Sequence, residues 1–431
     1  MPRHRPRAKL LKYLQQINAN RRSTAFVSAV LDDKDSDDDS VGKILDHYYA
    51  SMEHIISSRR YLFRKKQNRN RRTFFNWDDC LAENSTRFNE EEFLQHFRMS
   101  RSGFKSLMNV IKDDDVFQNK RGKMKKAPVS HHLLVFLYRV GRDGSSASDS
   151  AIATFFGIGK GSVKNYIRRV TKALINVRDE FIKWPSGEEK DKLKTRIKVN
   201  YGFQKCIGII DGTLVILDKR PTLYGDSYFC RKQCYAINVQ VICDDKGKIT
   251  YFYGGWPGST HDNRAWRNCK VYNNASLYFD DGEYLLADSA YSACLYIVQA
   301  FKKVSGSNLS THQEFFNTKL GRARVKSEHC IGILKNRFPC LKKLNTVIDG
   351  MRGMKEVMQI FTAVAVIHNI LLDVDDTIPQ QWYEEIDSNH YWTNDYEGSD
   401  VVQEIMGNET YVTTFDRRQA VFNAIIEDYY V

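Results

Sequence analysis

The strongest constraint on this chain is a pair of short apolar runs that each stop on an aspartate. Cys206–Ile210 meets Asp211 and Gly212, and Tyr284–Ala287 meets Asp288. An apolar run of four or five residues bounded by turn formers fits a buried strand, and a carboxylate does not extend such a core unpartnered. The runs predict two interior strands closed by acids. Tyr235–Cys243 alternates, Asp244–Lys248 contains Gly247 at a position suited to positive φ, and Ile249–Tyr253 follows, which predicts a hairpin. Gly254–Gly258 is Gly/Pro-rich and is expected to turn into a helix beginning near Thr260. A last short strand is expected at Tyr296–Phe301, a helix around Lys319–Arg337 and a long apolar helix over Met354–Leu372. Three antiparallel strands followed by strands alternating with helices make a mixed α/β domain.

A third acid belongs with these two. Glu328 lies mid-helix, four residues after Arg324 and seven before Lys335, so the three share a face. Acids at the ends of adjacent strands, with one from a helix packed over them, can converge on a small volume. Carboxylates crowded in that way repel one another, and Mg²⁺ or Mn²⁺ relieves the repulsion. Two such ions can activate a water and stabilise the leaving oxygen in phosphodiester cleavage. Singly, each acid has a simpler role open to it. Asp211 before Gly212 suits a turn, Asp288-Ser289 a helix cap, and Glu328 with Arg324 an i,i+4 ion pair. Their joint placement favours the shared role.

Charge and pattern in the first half point to a polyanion. The chain carries net +13, and its stretch from Asp373 onward has 14 acids against 2 Lys/Arg, which leaves +25 on the first 372 residues. Residues 86–178 have helical periodicity, with Phe104, Leu107, Val110 and Ile111 on one face and Leu133, Leu134, Leu137 and Tyr138 on another. Within Ser148–Leu174 a short helix ends at Phe156, Gly157 permits a tight turn, and a second helix starts near Lys160. On it Val163, Ile167, Val170 and Leu174 line one face. Lys160, Ser162, Lys164, Asn165, Arg168 and Arg169 lie largely off that face. This is a helix-turn-helix pattern, with cations for phosphates and Asn165 for a base contact, although an ordinary αα-hairpin fits the same residues.

At this point the chain resembles the PIF/Harbinger-type DDE transposases. The blocks Ile209-Ile-Asp-Gly-Thr213, Pro257-Gly-Ser-Thr-His-Asp262, Leu286-Ala-Asp-Ser-Ala-Tyr291 and Arg324-Val-Lys-Ser-Glu-His-Cys-Ile-Gly-Ile-Leu-Lys-Asn-Arg-Phe338 occur in that family's order, with 77 residues from Asp211 to Asp288 and 40 more to Glu328. Ile367-His-Asn-Ile-Leu371 resembles the family's helical ending, and the resemblance spans roughly 130–372. Leu214, where a polar residue is frequent, and Cys330-Ile331, in place of an Ala-Phe-like pair, depart from the pattern without removing a ligand. The resemblance implies an RNase H-like core in which Asp211, Asp288 and Glu328 hold two Mg²⁺ or Mn²⁺ ions. It implies cleavage at transposon ends followed by attack of the freed 3′-OH on target DNA, with Arg324 and Lys335 gripping phosphates. It also implies a Myb-like DNA-binding accessory protein and a nuclear site of action. Holding two ends together requires a homo-oligomer. Two neighbouring readings stay open: a domesticated, transposase-derived host DNA-binding protein, and a plain metal-dependent nuclease.

The resulting expectation is an α/β chain, an RNase H-like mixed-sheet core preceded by an all-helical helix-turn-helix domain. Its parts are a basic, largely flexible arm over 1–85, a helical DNA-binding domain over 86–200, the DDE nuclease domain over 201–372 and an acidic tail over 373–431. Arg59–Arg72 packs eight Lys/Arg into fourteen positions around Tyr61 and Phe63, which suits nuclear import or a phosphate-gripping arm. Asp262 is a candidate auxiliary acid, or else a favourable first-turn acid of its helix. His261 is expected to pack, His329 to point away from the acids, and His368 to be a satisfied core histidine. Trp256 and Trp266 are expected in the core, with base stacking the alternative. The nine scattered cysteines suggest a reducing compartment, and Cys230 and Cys234 are expected to be small buried thiols rather than zinc ligands. The basic N-terminus lacks an apolar h-region and is not expected to be a secretory signal. No uninterrupted apolar stretch approaches the roughly 20 residues of a membrane helix, so no membrane partner is expected.

Overall fold

A computed structural model of the chain describes residues 75–85, 87–118, 126–303, 308–388 and 411–430, with a few isolated positions before residue 55. The basic cluster at 59–72 and the tail segment 389–410 lie outside the described residues. Residues 73–431 form one compact unit. Its helices and strands in chain order are α1 (Trp77–Leu81), α2 (Glu90–Phe97), α3 (Arg101–Ile111), α4 (Val129–Val140), α5 (Asp149–Phe155), α6 (Lys160–Asn176), α7 (Arg178–Phe181), α8 (Gly187–Tyr201), β1 (Cys206–Ile216), β2 (Ala236–Cys243), β3 (Ile249–Pro257), α9 (Asp262–Arg267), α10 (Lys270–Asn273), β4 (Tyr284–Ala287), β5 (Ile297–Gln299), α11 (Thr311–Arg337), α12 (Met351–Asp373), α13 (Gln380–Ser388) and α14 (Tyr411–Tyr430).

The sheet order is β3-β2-β1-β4-β5. β1, β2 and β3 pair antiparallel, whereas β4 lies parallel to β1 and β5 parallel to β4. The result is a mixed α/β fold. β1 and β2 are interior strands, which is why β2 is buried at every position instead of on alternate ones. α11 packs across β1, β2 and β4. Its buried positions Phe316, Leu320, Ala323, Ser327, Cys330, Leu334 and Arg337 recur at alternating spacings of four and three, the stripe a helix needs to lie on a sheet.

Four expectations change against these coordinates. Asp211 does not close its strand: β1 continues to Ile216, and Asp211 pairs with Val241 in mid-strand. The ladder to β2 supplies backbone partners that the apolar run alone does not reveal. Gly254–Pro257 is no turn but the end of β3, paired with β2 across an irregularity between Asn238 and Val239 that absorbs the glycines as a bulge. The helix before Glu328 starts at Thr311, eight residues earlier than expected, because Ser310 and Gln313 form a reciprocal capping box. Finally, α12 is by length and composition long and apolar enough to cross a membrane. Its interior residues, Val357, Phe361 and Ala363–Leu371, are buried inside this protein instead.

The helical half begins with an aromatic cluster in which Phe75 and Trp77 pack on Phe155 and Phe156. α5 and α6 are joined at Gly157, whose φ of +63° is the left-handed conformation only glycine adopts cheaply. Val163, Val170 and Leu174 of α6 are buried and Ile167 is half-buried. Lys160, Lys164, Asn165 and Arg168 are exposed, and Ser162 and Arg169 half-buried. Lys164 also pairs with Asp149 at 3.1 Å. At the other end of the chain, α14 docks through aromatics: Phe422 packs on Phe301 and Phe316, and Arg418 lies over the Phe301 ring.

One buried ion pair ties the helical half to α11. Arg337 Nη1 lies 2.6 Å from Asp376 Oδ2, with the side chains 2% and 0% exposed. Arg337 also donates to the carbonyl of Arg98, and Asp376 accepts from the backbone N–H of Ser100 at 3.1 Å. Removing one partner strands a buried charge. Asp376→Ala is therefore expected to lower unfolding stability by about 3–5 kcal/mol in denaturant titration. A loss below about 1 kcal/mol would mean the pair is not a keystone of the fold.

Candidate active site

The parallel register of β1 and β4 brings the two aspartates together. Ile209 pairs with Leu286, and two residues on stand Asp211, within β1, and Asp288, one residue past the end of β4. Alternation along β1 places Asp211 on the face of Ile209, which packs with Leu286 in one cluster with Leu320 and Ala323 of α11. Glu328 comes from the same helix, beside the buried Ser327. The three acids thus come from β1, the end of β4 and the helix covering that face.

Each acid also makes the local contact its immediate sequence allows. Asp211 Oδ1 accepts from the N–H of Gly212 at 2.8 Å, Asp288 Oδ1 from the N–H of Ala290 at 2.9 Å, and Glu328 Oε1 from Arg324 Nη2 at 3.3 Å. Among the described residues no three Asp, Glu, His or Cys side chains stand close enough together to hold one ion.

The acids are nonetheless one electrostatic unit. Burial, then the charge of Asp288, pushes the Asp211 carboxyl up from 3.8 to about 8; Asp262 and Glu328 push the same way and Arg324 opposes them. Burial also raises Asp288, against Arg324 and the Ala290 N–H, while Asp262 adds to the rise. Lys335, half-buried on α11, is pulled down to about 8 by burial and by Lys232, while Asp211 partly holds it up. Asp211 therefore feels the charges of three other carboxylates and of Arg324, and it acts in turn on Lys335.

Asp262 stands at the start of α9 and accepts from Asn238 Nδ2 and Gln240 Nε2, each at 2.7 Å. Neither amide featured among the expected site residues. The signal was present: Asn238 and Gln240 are two residues apart in an otherwise apolar strand, hence on one face, and buried amides need partners. His261 is exposed rather than packed, since it only precedes the first turn of α9. His368 is buried and bonds the carbonyl of Gly247 at 3.0 Å. Trp266 is buried in the core, whereas Trp256 is half-buried on β3 with Arg264 over its ring. Cys230 and Cys234 are free thiols with Sγ atoms 3.4 Å apart.

The comparisons with known proteins fall on this constellation. Residues 210–369, which contain Asp211, Asp262, Asp288 and Glu328, match the DDE superfamily endonuclease family. The candidate nuclease HARBI1 of Homo sapiens is 25% identical over 282 residues, covering 61% of this chain and 75% of its own. Over these residues the chain is similar to transposase-derived DDE nucleases of the Harbinger type. The protein antagonist of like heterochromatin protein 1 of Arabidopsis thaliana is 19% identical over 325 residues, covering 70% of this chain and 80% of its own. A candidate transposase of insertion sequence element IS702 from Microchaete diplosiphon is 20% identical over 282 residues, 59% of this chain and 90% of its own. No solved structure gives a significant match.

In this acidic site the raised carboxyl of Asp211 makes a signed prediction. Between 3.8 and about 8 the folded chain holds a proton that the unfolded chain has released, so stability without metal falls as pH rises through that window. Asp211→Asn removes the penalty. Thermal unfolding in chelator at neutral pH is expected to show a higher midpoint for Asp211→Asn and a flatter pH profile than for the unchanged protein. An unaltered or lower midpoint would mean the Asp211 carboxylate is not destabilised by its surroundings.

Proposed function

We propose that this protein is a metal-dependent DNA endonuclease and strand transferase of the Harbinger type, built on an RNase H-like core, with Asp211, Asp288 and Glu328 as its metal ligands. The observation that carries the reading is that Asp211, within β1, and Asp288, one residue past the end of the neighbouring parallel β4, each follow the paired Ile209 and Leu286 by two residues, beneath the helix that supplies Glu328. The donor chemistry suits a hard divalent cation, all oxygen and recessed, with a carboxyl at Asp211 held far above its usual range; sharing one ion would require the three carboxylates to leave their present local contacts. Mg²⁺ or Mn²⁺, as a pair of ions, would supply water activation and stabilisation of the leaving oxygen at a phosphodiester.

The protein's own groups do the rest. Arg324, now paired with Glu328, and Lys335 flank the acids and are placed to hold phosphate oxygens. The pair α5–α6 is a helix-turn-helix in this reading. Lys160, Ser162, Lys164, Asn165, Arg168 and Arg169 contact DNA through the outer face of α6, where four of the six are exposed. Cleavage leaves a 3′-OH at the transposon end, which then attacks a target phosphodiester. Two ends must be held at once, so the working form is a homo-oligomer. A Myb-like accessory protein supplies part of the end recognition, and the site of action is the nucleus, reached from the cytoplasm. The 1–85 arm and the acidic 373–431 tail serve as flanking segments of the 86–200 DNA-binding and 201–372 nuclease regions.

The name of the Arabidopsis relative, an antagonist of a heterochromatin-protein-like factor, favours a second reading in which the fold serves as a host DNA-binding protein. Retention of all three acids favours the enzyme over that reading.

Asp211→Ala, Asp288→Ala and Glu328→Gln are each expected to lower Mg²⁺-dependent cleavage of terminal-repeat DNA by at least about a hundredfold, the scale of losing an essential electrostatic group, while DNA binding persists. Cleavage surviving in Asp288→Ala would remove the mechanism. Arg168→Ala with Arg169→Ala is expected to weaken DNA binding and to flatten its dependence on salt by about two units of slope. A salt slope equal to that of the unchanged protein would mean that α6 does not face DNA.

A further inference from the structure

Asp211 sits within β1, whereas β4 stops at Ala287, so hydrogen bonding within the sheet does not extend to Asp288. A second connection runs on the opposite face. Along β1 the residue after Asp211 points the other way, and there Gly212 faces Asp262 of α9. A Cβ at position 212 would stand 2.4 Å from Asp262 Oδ1, so the acid occupies the space of the missing side chain. The same oxygen takes both buried amides of β2, at 2.7 Å each. Gln240 Nε2 also donates to Asn238 Oδ1, Asn238 Nδ2 to the carbonyl of Thr260, and the fully buried Tyr291 donates its hydroxyl to Gln240 Oε1. Tyr291 lies three residues after Asp288. The next residue of α9 makes a second tie to that turn: Asn263 Nδ2 donates to Ser292 Oγ at 2.7 Å and its Oδ1 accepts from the Ser292 N–H at 3.2 Å.

We infer that Asp262 and Asn263 are positioning residues that set the separation of Asp211 and Asp288 from behind the sheet. Asp262 holds the β1–β2 pair directly under the neighbour of Asp211. Asn263 and Tyr291 hold the turn that carries Asp288. The two adjacent α9 residues make one rigid bracket across the gap. The buried amides give it stiffness, because losing the shared acceptor would leave the Asn238 and Gln240 donors without the partner they share. Metal affinity then depends on residues that touch no metal, as it does for outer-shell partners generally. The inference rests on the metal-ligand reading above and goes beyond it by assigning a role to the His261-Asp262-Asn263 segment.

The test is Mn²⁺ binding to the full chain, measured by calorimetry without DNA and alongside the unfolding temperature. Asp262→Asn keeps an oxygen for both amides and removes the charge, so its Mn²⁺ affinity is expected to stay within about threefold of the unchanged protein, whereas Asp262→Ala loses about tenfold or more. Asn263→Ala breaks only the tie to Ser292 and is expected to weaken Mn²⁺ measurably at an unaltered unfolding temperature. It keeps the test decisive should Asp262→Ala fail to fold. Equal losses in Asp262→Asn and Asp262→Ala would make Asp262 a direct ligand and overturn the bracket. Unchanged Mn²⁺ affinity in Asn263→Ala, or in a folded Asp262→Ala, would overturn it too. Asp211→Asn is the control: if it binds Mn²⁺ as well as the unchanged protein does, the metal-ligand reading itself has failed, separately from the bracket.

Discussion

Carboxylates brought together in a recessed place repel one another, and that repulsion organises the site of this protein. Burial raises both Asp211 and Asp288, and the charge of each neighbouring acid adds to the cost at Asp211. The fold tolerates the cost because the acids lie on rigid supports. One comes from a hydrogen-bonded strand, one from the turn that directly follows another, and one from a 27-residue helix whose apolar stripe lies on the sheet. Arg324 and the turn N–H groups neutralise part of the charge in the absence of metal. A polar cluster of this kind contributes nothing to folding that an apolar core would not supply better, so its retention points to chemistry.

The rest of the unit can be understood as support for that geometry. α11 carries Glu328 at its middle and Arg337 at its end, and Arg337 ties it through Asp376 to the start of α3. The helical half that offers cations on α6 is thereby fixed to the same helix that completes the acid site. On the other face, Asp262 fills the space beneath Gly212. This gives a physical reason for the Asp-Gly-Thr block: glycine is needed there because a carboxylate from α9 lies against the strand backbone.

Much of this was legible in the sequence. Apolar runs gave β1 and β4, alternation gave the β2–β3 hairpin, and the Gly157 turn separated α5 from α6. The spacing of Arg324, Glu328 and Lys335 on one helix face also followed from period alone. What escaped has specific causes. β1 runs past Asp211 because pairing with β2, a long-range contact, satisfies the backbone there. The glycines of 254–258 suggest a turn locally and become a bulge only when β2 is alongside. The amides Asn238 and Gln240 mattered only once α9 placed Asp262 against them. The early start of α11 has a local cause instead, the Ser310–Gln313 capping box, which lies ahead of the helical pattern around Lys319.

The most direct test of the metal-ligand assignment is anomalous X-ray scattering from crystals of the full chain equilibrated with Mn²⁺ and compared with crystals kept in chelator. A site built from Asp211, Asp288 and Glu328 predicts manganese peaks bounded by those three carboxylates, with the Glu328 side chain moved off Arg324 toward the ion. Manganese bound elsewhere, or crystals in which the three acids keep their present local contacts at saturating Mn²⁺, would contradict it.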